Sequence, residues 1–138
     1  MKQRFLETLH LEENYKRECK LAENGLPVSI WETYSSFANT EGGVILLGVR
    51  EHRDSFEVNG LTERQLVKYQ KDFWSVVNDR NKVSKNILLN HHVAVVEVEG
   101  KKLLQIEVPE ADRHDKPVYI GPDPMKGTYR RNYEGDYL

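Results

Sequence analysis

Apolar residues recur at two different spacings along this chain, and the change between them falls within residues 29–51. From Ser29 to Asn39 the residues Ile30, Trp31, Tyr34, Phe37 and Ala38 lie three and four apart, which puts them on one face of a helix. Gly42 and Gly43 follow, able to take the positive φ that ends a helix and to let backbones approach closely. Val44, Ile45, Leu46, Leu47 and Val49 then form a nearly unbroken β-prone run, the pattern of a central strand covered on both faces. Gly48 gives that strand a place to bend. Arg50 and Glu51 stand at its exit.

The rest of the chain supplies shorter signals. Phe5, Leu6 and Leu9 predict a short helix within residues 1–12. Residues 14–21 predict a strand with one wet face, on which Glu18 and Lys20 point one way and Arg17 and Cys19 the other. Pro27 suits the first turn of the following helix. Ser29 with Glu32 offers a capping box instead, which would move that start by two residues. A turn at 52–55 and a short strand at 56–60 lead to a second helix. There Thr62 and Gln65 form a capping box and Leu66, Tyr69, Phe73, Val76 and Val77 repeat at helical intervals, ending near 78–81. Residues 84–89 are a weaker strand candidate. Residues 92–99 and 102–108 predict a hairpin turning near Gly100, closed off by Pro109. Short strands are predicted at 116–120 and 128–131, joined by a loop at 121–127. Two main helices on a mixed β-sheet, an α+β fold, is the expected architecture.

At 138 residues the chain suits a single domain, 1–138, and 38% hydrophobic with 30% charged residues fits a folded, water-soluble protein. No apolar run reaches membrane-spanning length, so no membrane partner is expected. One cysteine excludes an internal disulfide framework and suits a reducing, cytoplasmic setting. The net charge of −2 excludes a globally basic nucleic-acid surface, so such binding needs a local patch. Basic residues do cluster, at Lys16, Arg17 and Lys20, at Arg80, Lys82 and Lys85, and at Arg130 and Arg131.

Three constellations bear on chemistry. The glycines make neither a Gly-x-Gly-x-x-Gly fingerprint nor a P-loop, so ATP is not an expected cofactor. Adjacent His91 and His92 would face opposite sides of a strand, and neither they nor the lone Cys19 suggest a metal centre. Glu13, Glu18 and Lys20 are spaced E-x-x-x-x-E-x-K. If the first strand neighbours the central one, Glu51 could join them, three oxygen donors suited to Mg²⁺ or Mn²⁺ with a lysine beside a scissile phosphate. A solvated, salt-bridged strand face explains the same spacing. Tyr119, Tyr129, Arg130, Arg131 and Tyr133 interleave rings with guanidinium groups, a mix that stacks bases and pairs with phosphates; an edge strand kept soluble by its arginines explains it equally.

Taken in order, ENYKRECK at 13–20, FANTEGGVILLGV at 37–49, VNGL at 58–61, IEVP at 106–109, KPVYI at 116–120 and GTYR at 127–130 resemble the Schlafen-type AlbA-like domain. In bacteria that resemblance implies the N-terminal, DNA-binding module of a transcriptional regulator, with further domains to follow. In Schlafen proteins a similar domain, used in pairs, cuts structured RNA through three carboxylates and a divalent metal. Glu13 and Glu18 match two of those by separation. The third is usually an aspartate after the Gly-Val strand, where this chain has Arg50-Glu51.

The leading expectation is therefore a non-catalytic nucleic-acid-binding module, with Lys16, Arg17, Lys20, Arg130 and Arg131 on phosphates and Tyr129 stacking. The alternative is a metal-dependent endoribonuclease with Glu13, Glu18 and Glu51 on the metal and Lys20 stabilising the transition state. A third is an oligomerisation module that pairs exposed edge strands between chains. All depend on the first strand lying beside the glycine-led one.

Overall fold

The computed structural model describes residues 16–53, 55–132 and 135–138. The expected helix within 1–12 and the side chain of Glu13 lie outside that range. Four strands form the main sheet in the order β1-β2-β6-β5, where β1 is Arg17–Lys20, β2 Gly43–Leu47, β5 Val93–Val98 and β6 Lys101–Val108. β1 runs parallel to β2 and the other two pairings are antiparallel, which makes the sheet mixed. A parallel neighbour needs a crossover, and helix α1, Ile30–Asn39, provides it. The charged strand thus lies beside the hydrophobic one, Glu18 opposite Ile45 and Lys20 opposite Leu47.

Alternation along β2 divides the interior. Ile45 and Leu47 join Leu104 and Ile106 under α1 and helix α2, Glu63–Val77. There Tyr34, Phe37, Tyr69 and Phe73 are fully or almost fully buried. Leu46 faces the other way with Leu103 and Val98. Val49 and Val58 cover that side from a small hairpin, β3 (Val49–Glu51) with β4 (Phe56–Val58). The long apolar run therefore divides between two sheets. Gly48, at φ +101, donates its N–H to the Lys20 carbonyl at 2.9 Å and turns β3 away from the main sheet.

Local chemistry explains where the structure departs from the sequence expectations. Thr62 and Gln65 make the reciprocal capping box that starts α2. Ser29 does not cap α1: its backbone is helical, at φ −66 and ψ −9, and its hydroxyl accepts from Lys20 Nζ at 2.9 Å. Residues 84–89 are not a strand. The Tyr34 hydroxyl donates to the Lys85 carbonyl and accepts from the Ile87 N–H, and the Asn86 side chain takes the Leu88 N–H. Residues 116–120 make only two isolated bridges, because side chains of α1 take both backbone groups of Val118. The loop at 121–127 contains a single helical turn, α3 (Pro124–Gly127), with Asp123 accepting from the Met125 N–H. The last hairpin, β7 (Arg130–Asn132) with β8 (Gly135–Tyr137), extends the predicted edge strand by a partner the sequence reading lacked.

Between α1 and β2 the backbone approaches a ring closely. A Cβ on Gly43 would lie 2.6 Å from the buried ring of Phe37. Gly43→Ala is accordingly expected to cost roughly 1–3 kcal/mol by overpacking, read as a lower denaturation midpoint with an unchanged denaturant slope.

Candidate nucleic-acid interface

Helix α1 has an apolar face toward the sheet and an unusual second face. Thr33, Ser35 and Ser36 are fully buried there although they are polar. Buried polar groups need partners, and these find them in distant segments. Ser35 Oγ donates to the Val118 carbonyl at 2.7 Å and accepts from the Tyr129 N–H at 3.0 Å. The Asn39 side chain grips Val118 and the Tyr129 carbonyl, and Thr40 Oγ1 accepts from the Arg131 N–H. The F-A-N-T stretch is thus a clamp that fixes residues 118 and 129–131 against α1.

The clamp delivers Arg131 to the wet face of β1. Its Nη2 donates to Glu18 Oε1 at 2.8 Å and to the Arg17 carbonyl at 3.0 Å, and its Nη1 to Asp136 Oδ1 at 2.8 Å. The guanidinium also stands over the Phe37 ring, 4.9 Å from its centre. Asp136 accepts from Thr33 Oγ1 at 2.7 Å and from the Ser36 hydroxyl. Only 5% of the Arg131 side chain is exposed. The two carboxylates and hydrogen bonds raise its pKa despite burial, which acts the other way. Lys20 completes the cluster, 3.4 Å from Glu18 Oε2 and bonded to Ser29.

On the opposite face of β1, Arg17 is also buried. It pairs with Glu51 at 3.2 Å and lies 4.3 Å over the Phe56 ring. Burial beside it pushes the Cys19 thiol up to about 12, against the lowering effect of Arg17. This thiol is an unreactive packing group at neutral pH.

The expected site residues therefore separate. Arg17 and Arg131 hold the fold together and are not offered to phosphate. Of the other expected binding residues, Lys16 and Arg130 are exposed and Tyr129 and Lys20 are partly covered. Partial burial, then Glu32 and Asp136, raise the Tyr129 phenol above its ordinary value, so its hydroxyl stays neutral at physiological pH. Tyr119 lies at the isolated bridge with Thr128. Glu18 and Glu51 do not share a site, because they ion-pair on opposite faces of the sheet. The Arg131 guanidinium bridges Glu18 to Asp136. Among the described residues no three metal-ligating side chains cluster.

Sequence reasoning missed Asp136 and the buried hydroxyls. One signal was available. Glu32 is the only charged residue in Ile30–Asn39, and a helix with so little charge on any face is covered on more than one side.

This is an α+β domain organised by a polar helix clamp around a buried arginine. The chain belongs to the Schlafen, AlbA_2 family, whose model matches residues 7–137. It is similar to the solution structure of the N-terminal domain of a protein from Nitrosomonas europaea named for its relation to the ATP-dependent DNA helicase RecG. The two share 28% identity with a TM-score of 0.70, over 94% of this chain and 86% of that one. The DIP2311 protein of Corynebacterium diphtheriae has the same fold at 14% identity and a TM-score of 0.59. The match covers 99% of this chain and 25% of that one. No curated protein matches the chain.

The two neighbouring arginines of β7 should behave oppositely. Arg131→Met removes the bridge between Glu18 and Asp136 and is expected to cost about 3 kcal/mol, the low end for a broken buried pair because both carboxylates keep some water. Arg130→Met is expected to stay within about 0.5 kcal/mol of the parent, as exposed substitutions do. Thermal melts of the two variants side by side check this.

Proposed function

We propose that this domain is a nucleic-acid-binding module that grips the phosphate backbone at the rim formed by Lys16, Lys20, Tyr129 and Arg130. The observation behind this reading is that a chain of net charge −2 leaves Lys16 and Arg130 exposed and Tyr129 half-exposed, each next in sequence to residues whose own side chains are tied into the fold. Exposed cations suit phosphates, and an uncharged ring suits base stacking. Family membership and the similarity to a domain of a helicase-related protein support it. The finer reading, a module of a transcriptional regulator, rests on the family resemblance, and its cytoplasmic setting on the single cysteine. Contacts from this rim to phosphates carry no sequence information, so the binding they supply is strongly salt-dependent.

The rim is tested by Lys16→Ala with Arg130→Ala. The double variant should bind oligonucleotides more weakly, and its slope of log affinity against log salt should shrink by about 1.4–1.8, near 0.7–0.9 per lost phosphate contact. Equal affinity and slope for parent and variant at low salt would rule the rim out.

The endoribonuclease alternative needs carboxylates on one face. Glu51 is on the other, and Arg131 stands between Glu18 and Asp136 where a cation would sit. We therefore expect structured RNA incubated with this domain and Mn²⁺ to remain intact on a gel. Cleavage that disappears in Glu18→Gln would overturn that expectation.

A further inference from the structure

Beside the rim, between the start of α1 and the C-terminal half of α2, lies an open groove of about 830 Å³. That volume is within the range of small-molecule sites. Trp31, Val76 and Ile120 contribute to its apolar part, and Glu32, Asp72, Asn81 and Lys82 are among its polar groups. Trp31 lies stacked on Phe73, ring centres 5.0 Å apart and planes at 19°. Phe73 is fully buried, so the ring surface that lines the groove is the opposite face and edge of the indole. Glu32 has no hydrogen-bond partner among the described residues, and Lys82 is exposed. A flat ring, a carboxylate acceptor and a cation in one open groove match a nucleotide. The ring stacks a base, the carboxylate accepts N–H donors from the base edge, and the ammonium meets a phosphate.

The groove also adjoins the proposed rim. Glu32 lines it and at the same time acts on the Tyr129 phenol. A strand held by its phosphates along Lys20 and Tyr129 would therefore pass its next base over Glu32 and into the groove.

We propose that this groove is a pocket for one unpaired nucleobase, and that Glu32 selects guanine. Guanine presents two adjacent N–H donors on its pairing edge, which a carboxylate accepts together. Adenine presents an amino group beside an acceptor, which Glu32 would repel. Asp72 also lines the groove but is already paired with Lys68 at 2.9 Å, so Glu32 is the unpaired carboxylate there. The inference rests on the nucleic-acid reading above and adds a base preference that phosphate contacts cannot supply.

The test uses Trp31 fluorescence in a Trp74→Phe background, titrated separately with guanosine, adenosine, cytidine and uridine monophosphates. GMP should quench Trp31 and bind about tenfold or more tightly than AMP, the discrimination expected of one well-placed base contact. Glu32→Gln should melt like the parent and lose that preference. Lys82→Ala should weaken all four nucleotides together without changing their order. No quenching by any nucleotide, or a preference that survives Glu32→Gln, overturns the pocket. Quenching that survives while the Lys16/Arg130 double variant binds oligonucleotides unchanged would remove the rim and keep the pocket, so the two failures are distinguishable. An apolar peptide occupant would appear as a groove indifferent to all four monophosphates.

Discussion

The structure depends on the way a single helix satisfies its buried polar face. Most amphipathic helices turn their polar side to water. α1 instead buries Thr33, Ser35 and Ser36 and directs their hydroxyls to segments 83 to 103 residues away. Each bond is worth only about 1 kcal/mol net, but a buried hydroxyl left alone costs about 1–3 kcal/mol. The clamp is therefore held less by the strength of its bonds than by the cost of opening it. Its consequence is positional: residues 118 and 129–131 lie outside the main sheet and are fixed against α1.

Arg131 converts that position into electrostatics. A guanidinium with this little exposure needs oxygen around it, and Glu18, the Arg17 carbonyl and Asp136 supply it. Strand β1 is short and lies at the edge of the sheet, so this bridge ties it to the C-terminal hairpin. Arg17 does comparable work on the other face with Glu51 and Phe56. Two of the most basic-looking positions in the chain are thus structural, one on each side of one strand. Lys16 and Arg130, next to these arginines in sequence, stay exposed instead.

Much of the frame was legible in the sequence because it depends on local or periodic signals. The two helices, the capping box at Thr62, the β5–β6 hairpin and the bend at Gly48 all follow from spacing and from what glycine or threonine can do at one place. The failures share a cause. Residues 84–89 and 116–120 have strand-like composition, but their backbone groups bond to Tyr34, Ser35 and Asn39. A β pattern in sequence records which residues suit a pleated surface, and not whether a neighbouring strand arrives to pair with them.

For the candidate site the division is sharper. By itself the sequence determined that Glu18 and Lys20 face one way and Arg17 the other, because alternation along a strand is a property of the backbone. It also determined that a glycine-led hydrophobic strand forms the centre. Only the tertiary structure decided that Glu51 belongs with Arg17, that Asp136 joins Glu18 through Arg131, and that Arg130 rather than Arg131 meets solvent. Charge partners are chosen by distance in space, across separations of 34 and 113 residues here. No local pattern encodes a contact at that range.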